Sequence, residues 1–159
     1  MAGKVRAACD VRANDETLVI ARTDAIAVEG FDAAMDRAGA YLEAGADMLF
    51  VEAPQSREQM VAITRTFGDR VPLMANMVEG GKTPVTDAAD LQDLGFDLVI
   101  FPGGVVRALS ATAVDYYQNL LAYGSNAGFR NRMYDFQGLN EVIGTADMLA
   151  LGKDYEGKT

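Results

Sequence analysis

The sequence has no histidine, no tryptophan, one cysteine and four prolines in 159 residues. Without histidine, no Ser-His-Asp triad, Cys-His pair or histidine-ligated zinc can form within the chain. With Cys9 alone, an intrachain disulfide and a cysteine-cluster zinc site are excluded as well. A single thiol and the lack of a signal-like N-terminus predict a reducing, cytoplasmic setting. The apolar runs fall far short of the ~20 residues that cross a bilayer. Basic residues are also few: 14 Lys+Arg stand against 23 Asp+Glu, a net charge of −9. That balance argues against nucleic acid, which needs a basic face, and against an anionic membrane surface. A small anion is still admissible, because one local arginine can outweigh the global charge. The chemistry left to the chain rests on carboxylates, Arg, Lys, Asn, backbone amides and a hard metal ion.

Half the residues are hydrophobic and 23% are charged, an ordinary globular composition. The length predicts one domain, with βα units over 1–124 and a helical tail over 125–159. Short apolar runs lie at Thr17–Ala21, Asp47–Val51, Val71–Ala75 and Asp97–Phe101. Their continuity suits strands of a parallel sheet buried on both faces. Helical periodicity fills the intervals. Phe31, Ala34, Met35, Ala38 and Leu42 make one stripe over Phe31–Glu43. Ser56, with Gln59 three residues on, reads as a capping box, and Met60, Ile63 and Phe67 follow as a stripe. Thr86 is the expected cap of a third helix that stops at Gly95. Ala44-Gly45-Ala46-Asp47 and Leu94-Gly95-Phe96-Asp97 repeat one join: a glycine ends a helix and an aspartate precedes a buried run.

Past Pro102 a long helix is expected over Val105–Tyr123. Its apolar face carries Leu109, Thr112, Ala113, Tyr116, Leu120 and Leu121. Short helices broken at Gly138, Gly144 and Gly152 follow. Four βα units fit either an open doubly wound sheet or half of a (β/α)8 barrel, whose whole takes about 250 residues. The pattern does not choose between them. Both place ligands at the carboxyl ends of the strands.

Those ends are polar. Arg22 follows the first run, where its fork either clamps a carboxylate or phosphonate, or pairs with Asp24 to order the loop. Glu52 ends the second run. It can accept a substrate proton, orient Arg22, hold a hydrated metal, or simply favour a helix N-terminus. Asn76 ends the third, before Glu79-Gly80-Gly81-Lys82-Thr83-Pro84, whose backbone amides form either an anion nest or a plain turn. Pro102-Gly103-Gly104 ends the fourth, at a loop position that binds phosphate in many barrels or that simply packs the rim.

Taken together, Ile20-Ala21-Arg22-Thr23-Asp24-Ala25, Gly30, Ala44-Gly45-Ala46-Asp47, Glu52-Ala53, and Asn76-Met77 with Glu79–Pro84 resemble the isocitrate lyase/phosphoenolpyruvate mutase superfamily. The similarity runs through Met133-Tyr134-Asp135-Phe136 and is nearest to its short methylisocitrate, carboxyphosphonoenolpyruvate and oxaloacetate or alkylmalate members. It implies an α/β fold, the C-terminal half of a (β/α)8 TIM barrel (strands five to eight) plus C-terminal helices. It implies homo-oligomers with helix exchange, Mg2+ or Mn2+ as cofactor, and 2-oxo or 2-hydroxy dicarboxylates cleaved through an enolate. Arg22 then contacts the substrate carboxylate or phosphonate. Arg22 and Glu52 are the expected catalytic residues, and Asn76, Glu79, Gly80, Gly81, Thr83 and Pro102 the further substrate contacts, with Glu52 reaching the metal at most through water. The family's metal-binding aspartates and its Lys-Cys-Gly-His gating loop are expected to precede the segment present here, and Cys9, in a helix with Val5 and Ala8, is not that loop's cysteine. Three readings follow: an incomplete Mg-dependent carbon–carbon lyase that is inactive alone, a noncatalytic half-barrel that oligomerises or binds, and a phosphonate-forming mutase. The Asn76–Pro84 loop favours the lyases.

Overall fold

The computed structural model describes residues 1–81, 83, 84 and 87–156. Contacts divide the chain into two units, Met1–Val105 and Val106 onward. The sequence reading placed no division before 124.

The first unit opens with helix α1 (Ala2–Val11) and strand β1 (Ile20–Thr23). Helices α2 (Ile26–Glu29) and α3 (Phe31–Glu43), strand β2 (Met48–Val51) and helix α4 (Arg57–Phe67) follow. It closes with β3 (Met74–Asn76), α5 (Ala88–Leu94), β4 (Leu98–Ile100) and the start of α6 (Gly104–Tyr123). β1 pairs with β2 and β3 with β4, all parallel, and a parallel bridge from Leu49 to Leu73 links the two pairs. Each strand therefore neighbours the next in sequence. An open doubly wound sheet reverses its strand order partway, whereas a barrel never does. The topology is that of a run of barrel strands, and the open-sheet alternative is set aside.

The four strands start one to three residues later than the apolar runs suggested, and β1 and β3 continue into the polar residues Arg22, Thr23 and Asn76. Ladder hydrogen bonds do not depend on side-chain polarity, so polar residues at a strand mouth stay paired. Burial differs as well. β2 is buried at every position, but β1 alternates, with Ala21 and Thr23 inside and Ile20 and Arg22 exposed. The expectation of burial on both faces fails for β1 and for β4, which has no buried position; each has a single paired neighbour among the described residues.

The core gathers Leu49, Leu73 and Met77 from the sheet and loops with Met60, Ile63 and Leu91 from the helices. The α3 limits match the expected Phe31–Glu43, and Ala34 and Ala38 of its stripe are fully buried. Ser56 caps α4 by accepting from the Gln59 N–H, but Gln59 Oε1 accepts from Gln55 N–H (2.7 Å) rather than closing the box on Ser56. Thr86, the expected cap of α5, and Lys82 lie outside the described residues. Asp87 caps that helix by accepting from Asp90 N–H (2.9 Å).

The repeated joins are one device. Gly45 and Gly95 take φ of +102° and +98°, conformations that favour glycine. The aspartate two residues on then reaches across to the neighbouring strand. Asp47 Oδ2 accepts from Val19 N–H and Asp97 Oδ2 from Leu73 N–H, each at 2.8 Å.

The second unit holds the rest of α6, a 3-10 turn (Ala127–Arg132), α7 (Phe136–Val142) and α8 (Thr145–Tyr155). Gly144, at φ +69°, separates the last two helices. Gly138 and Gly152 break neither: they sit inside α7 and α8 with ordinary helical backbone, where glycine costs about 1 kcal/mol without ending a helix. Neither α6 nor α7 nor α8 has a buried residue. Among the described residues no helix is long and apolar enough to cross a membrane.

Candidate active site

Three neighbouring strand ends bring Arg22, Glu52 and Asn76 together. In the β1–β2 register Arg22 lies opposite Phe50. Directly opposed residues project from the same face of a sheet, and the Arg22 guanidinium accordingly stacks 4.8 Å from the Phe50 ring centroid. Parallel pairing runs past the strand ends, since Glu52 N–H donates to Thr23 O at 2.9 Å. Glu52 thereby stands beside Arg22, with Oε1 3.5 Å from Nη2. Asn76 Nδ2 points at the same carboxylate, 3.4 and 3.3 Å from its two oxygens.

Arg22 makes its best contact elsewhere. Nε and Nη2 donate to the two carboxylate oxygens of Asp24 at 3.0 and 2.8 Å, a two-point pair. The hydrogen bonds from Arg22 hold the Asp24 carboxyl below the usual carboxylate range, and the same bonds raise the Arg22 pKa. Of the two readings of Arg22, the pair with Asp24 is the one observed, and the guanidinium also lies beside Glu52.

A cavity at this end is lined by Phe50, Glu52, Pro54, Met60, Met74, Asn76, Met77, Thr83 and Phe96. It is small, about 10 Å³, which is room for one water at most, and Arg22 is not part of its lining. Asn76 Oδ1 is buried without a hydrogen-bond partner among the described residues. With Nδ2 turned to Glu52, this oxygen is an unpaired acceptor beside a space the size of one water. Between Glu52 and Pro54, Ala53 takes φ +58°, the only positive φ outside glycine among the described residues. Such backbone is uncommon for a residue with a Cβ and concentrates at functional sites.

The remaining expected contacts scatter. Thr83 reaches the cavity lining; Gly80 and Gly81 form an exposed turn closed by Gly81 N–H to Val78 O at 2.9 Å. Glu79 Oε1 lies so close to the start of α6 that a Cβ on Gly104 would come within 2.7 Å. Pro102 is exposed and lies outside the cavity lining. The Arg22–Asp24 pair was one of the two sequence readings of Arg22; Phe50 as a platform and the Ala53 conformation were not singled out, and emerge only from register and backbone geometry.

A metal does not fit these residues on their own. No group of three or more acid, thiol or imidazole side chains is arranged to hold one among the described residues. The Glu52 oxygens already face an amide donor and a guanidinium, both of which compete with a cation.

A family model described as phosphoenolpyruvate phosphomutase matches residues 1–121. The chain is 36% identical over 155 residues to the 2,3-dimethylmalate lyase of Eubacterium barkeri, covering 98% of this chain and 53% of that protein. It is 39% identical over 137 residues to the 2-methylisocitrate lyase of Vibrio cholerae serotype O1 (strain ATCC 39315 / El Tor Inaba N16961), covering 84% and 44%. The crystal structure of a phosphonopyruvate hydrolase complexed with oxalate and Mg++ superposes with a TM-score of 0.79 at 26% identity, covering 97% of this chain and 54% of that one. The chain spans about half the length of the curated relatives it matches.

Proposed function

The chain belongs to the phosphoenolpyruvate phosphomutase family, and from that premise we propose that it forms part of a carbon–carbon lyase acting on a 2-oxo or 2-hydroxy dicarboxylate of the methylisocitrate, oxaloacetate or alkylmalate type. In this reading β1–β4 are strands five to eight of the barrel. The observation that carries it is that Arg22 and Asn76 each come within 3.5 Å of Glu52, from three consecutive strand ends. Arg22 binds a substrate carboxylate through its fork. Glu52 fixes the Asn76 amide beside Arg22 at the strand ends. Glu52 is also the nearest group able to exchange a proton with bound substrate. The Mg2+ or Mn2+ implied by the resemblance would need oxygen ligands beyond Glu52, which contributes through water at most.

Arg22→Lys keeps the charge and loses the fork. Oxalate binding to the chain, measured by calorimetry, is expected to weaken at least ~10-fold, roughly 1.4 kcal/mol. Unchanged affinity removes Arg22 from the site. Turnover of 2,3-dimethylmalate, 2-methylisocitrate or oxaloacetate, with phosphonopyruvate as the mutase-side control, sorts the substrates.

A second reading, a noncatalytic oligomerising or binding half-barrel, is favoured by the lack of a three-acid cluster among the described residues. Turnover by the chain with added Mg2+ rules it out.

A further inference from the structure

The guanidinium of Arg22 has two edges that each take a carboxylate: Nε with one N–H of Nη2, and Nη1 with the other. Asp24 occupies the first at 3.0 and 2.8 Å. Nη1 makes no hydrogen bond among the described residues, and the plane is held over Phe50 at 4.8 Å. The nearest other anion is Glu52, loose at 3.5 Å from Nη2 and itself engaged by Asn76. Glu52 is the competitor that would capture Arg22 if Asp24 let go, because among the described residues it is the other carboxylate paired with the guanidinium.

We propose that Asp24 is a positioning residue: it holds the Nε–Nη2 edge of Arg22, keeps the guanidinium from closing onto Glu52, and leaves the Nη1–Nη2 edge presented to a ligand carboxylate. The assignment rests on the anion-binding role of Arg22 given above. It differs from a stability role in a measurable way. Arg22 and Asp24 are 47% and 60% exposed, and exposed ion pairs add little to stability. Loss of the Asp24 charge should therefore leave the unfolding midpoint nearly unmoved while ligand binding suffers.

The test uses Asp24→Asn and Asp24→Glu in the whole chain, with oxalate as probe. Asp24→Asn is expected to weaken oxalate binding by about 5- to 10-fold, in the range of couplings within one hydrogen-bonded network. Asp24→Glu, which restores the carboxylate, is expected to recover part of the affinity. Adding Glu52→Gln to Asp24→Asn should recover affinity too, by removing the competitor. Independently of any ligand, 15N NMR should show the Arg22 Nε–H slowed in exchange in the parent and freely exchanging in Asp24→Asn. Unchanged or tighter oxalate binding by Asp24→Asn, or an Nε–H equally protected in both, overturns the proposal. If Arg22→Lys leaves oxalate binding unchanged, the anion site itself is misplaced. If Arg22→Lys weakens binding and Asp24→Asn does not, only the positioning role falls.

Discussion

Asp47 Oδ2 accepts the backbone N–H of Val19 at 2.8 Å, and Asp47 N–H returns a bond to Val19 O at 3.0 Å. One residue before β2 thus grips the chain one residue before β1 and sets the register that puts Phe50 opposite Arg22. Asp97 repeats this grip on Leu73, with the same two bonds at 2.8 and 3.0 Å. Arg12 of the α1 end adds a 2.8 Å ion pair to Asp47, tying the helix to the joint.

Asp47→Ala should cost about 1–2 kcal/mol, because it strands a partly buried N–H and an arginine together. Urea unfolding followed by circular dichroism measures it. Asp47→Asn, which retains an acceptor, should lose less. Equal stability of the parent and Asp47→Ala would mean the grip is incidental to the fold.

Acid should weaken the fold in a defined window. The Val19 N–H, aided by Arg12, holds the Asp47 carboxyl low, and the Ser56 hydroxyl does the same for Glu58. Each folded pKa lies below its unfolded value, about 3.9 for Asp and 4.3 for Glu. The stabilisation is therefore complete above those values and is lost as pH falls through them toward the folded pKa values. Urea midpoints should be flat from neutral pH down to about 5 and decline below it. In Asp47→Asn the decline should be shallower; an identical slope would remove Asp47 as a contributor.

Two glycine substitutions should differ in sign. Gly95→Ala forces a Cβ into a φ of +98° and should cost about 1–2 kcal/mol. Gly39→Ala, inside α3 with nothing within 4 Å of the new Cβ, should gain about 0.5–1 kcal/mol. Thermal melts of both variants suffice. Destabilisation by Gly39→Ala would show that α3 packs more tightly at that point than its surroundings indicate.

Much of this was legible in the residues. The Gly-x-Asp joins, the α3 stripe and the polar strand ends Arg22, Glu52 and Asn76 all stand in the sequence, because backbone conformation, helical period and strand polarity are local properties. Strand limits were read too early because apolarity and ladder pairing are different quantities, and Arg22 and Thr23 pair while being polar. Phe50 beneath Arg22 needed the interstrand register, which is a long-range fact. The strain at Ala53 had no signal, since alanine gives no hint of positive φ. Gly138 and Gly152 misled because glycine weakens a helix without always ending it.

The described residues should not hold magnesium tightly. One carboxylate, with its oxygens facing Asn76 and Arg22, is too few for an ion that keeps its waters and prefers additional carboxylate or phosphate ligands. Calorimetric titration of the chain with Mg2+ alone should show no stoichiometric site, and oxalate should strengthen whatever binding exists. Tight binding without oxalate would mean that ligands outside the described cluster complete the site within this chain.

The chain on its own should associate rather than persist as a monomer. β1 pairs only with β2 and β4 only with β3 among the described residues, so each presents an unpaired edge. Unpaired N–H and C=O groups along a strand invite another strand. Ile20 and Leu98 on those strands are exposed, so the edges are apolar as well as open. The helices add to this. Val106, Leu109, Tyr117 and Leu121 of α6 are all more than 60% exposed, and none of its residues is buried. Contiguous apolar surface of that kind marks an interface, and a second copy of the chain carries the same edges and the same helix. Net charge of −9 slows collision without covering either feature. Light scattering coupled to size exclusion should therefore give a mass of at least two chains, with the monomer fraction rising on dilution. A cooperatively folding monomer across micromolar concentrations would refute the open-edge account, and Leu109→Lys or Leu121→Lys should shift the distribution toward monomer if the α6 face carries the contact.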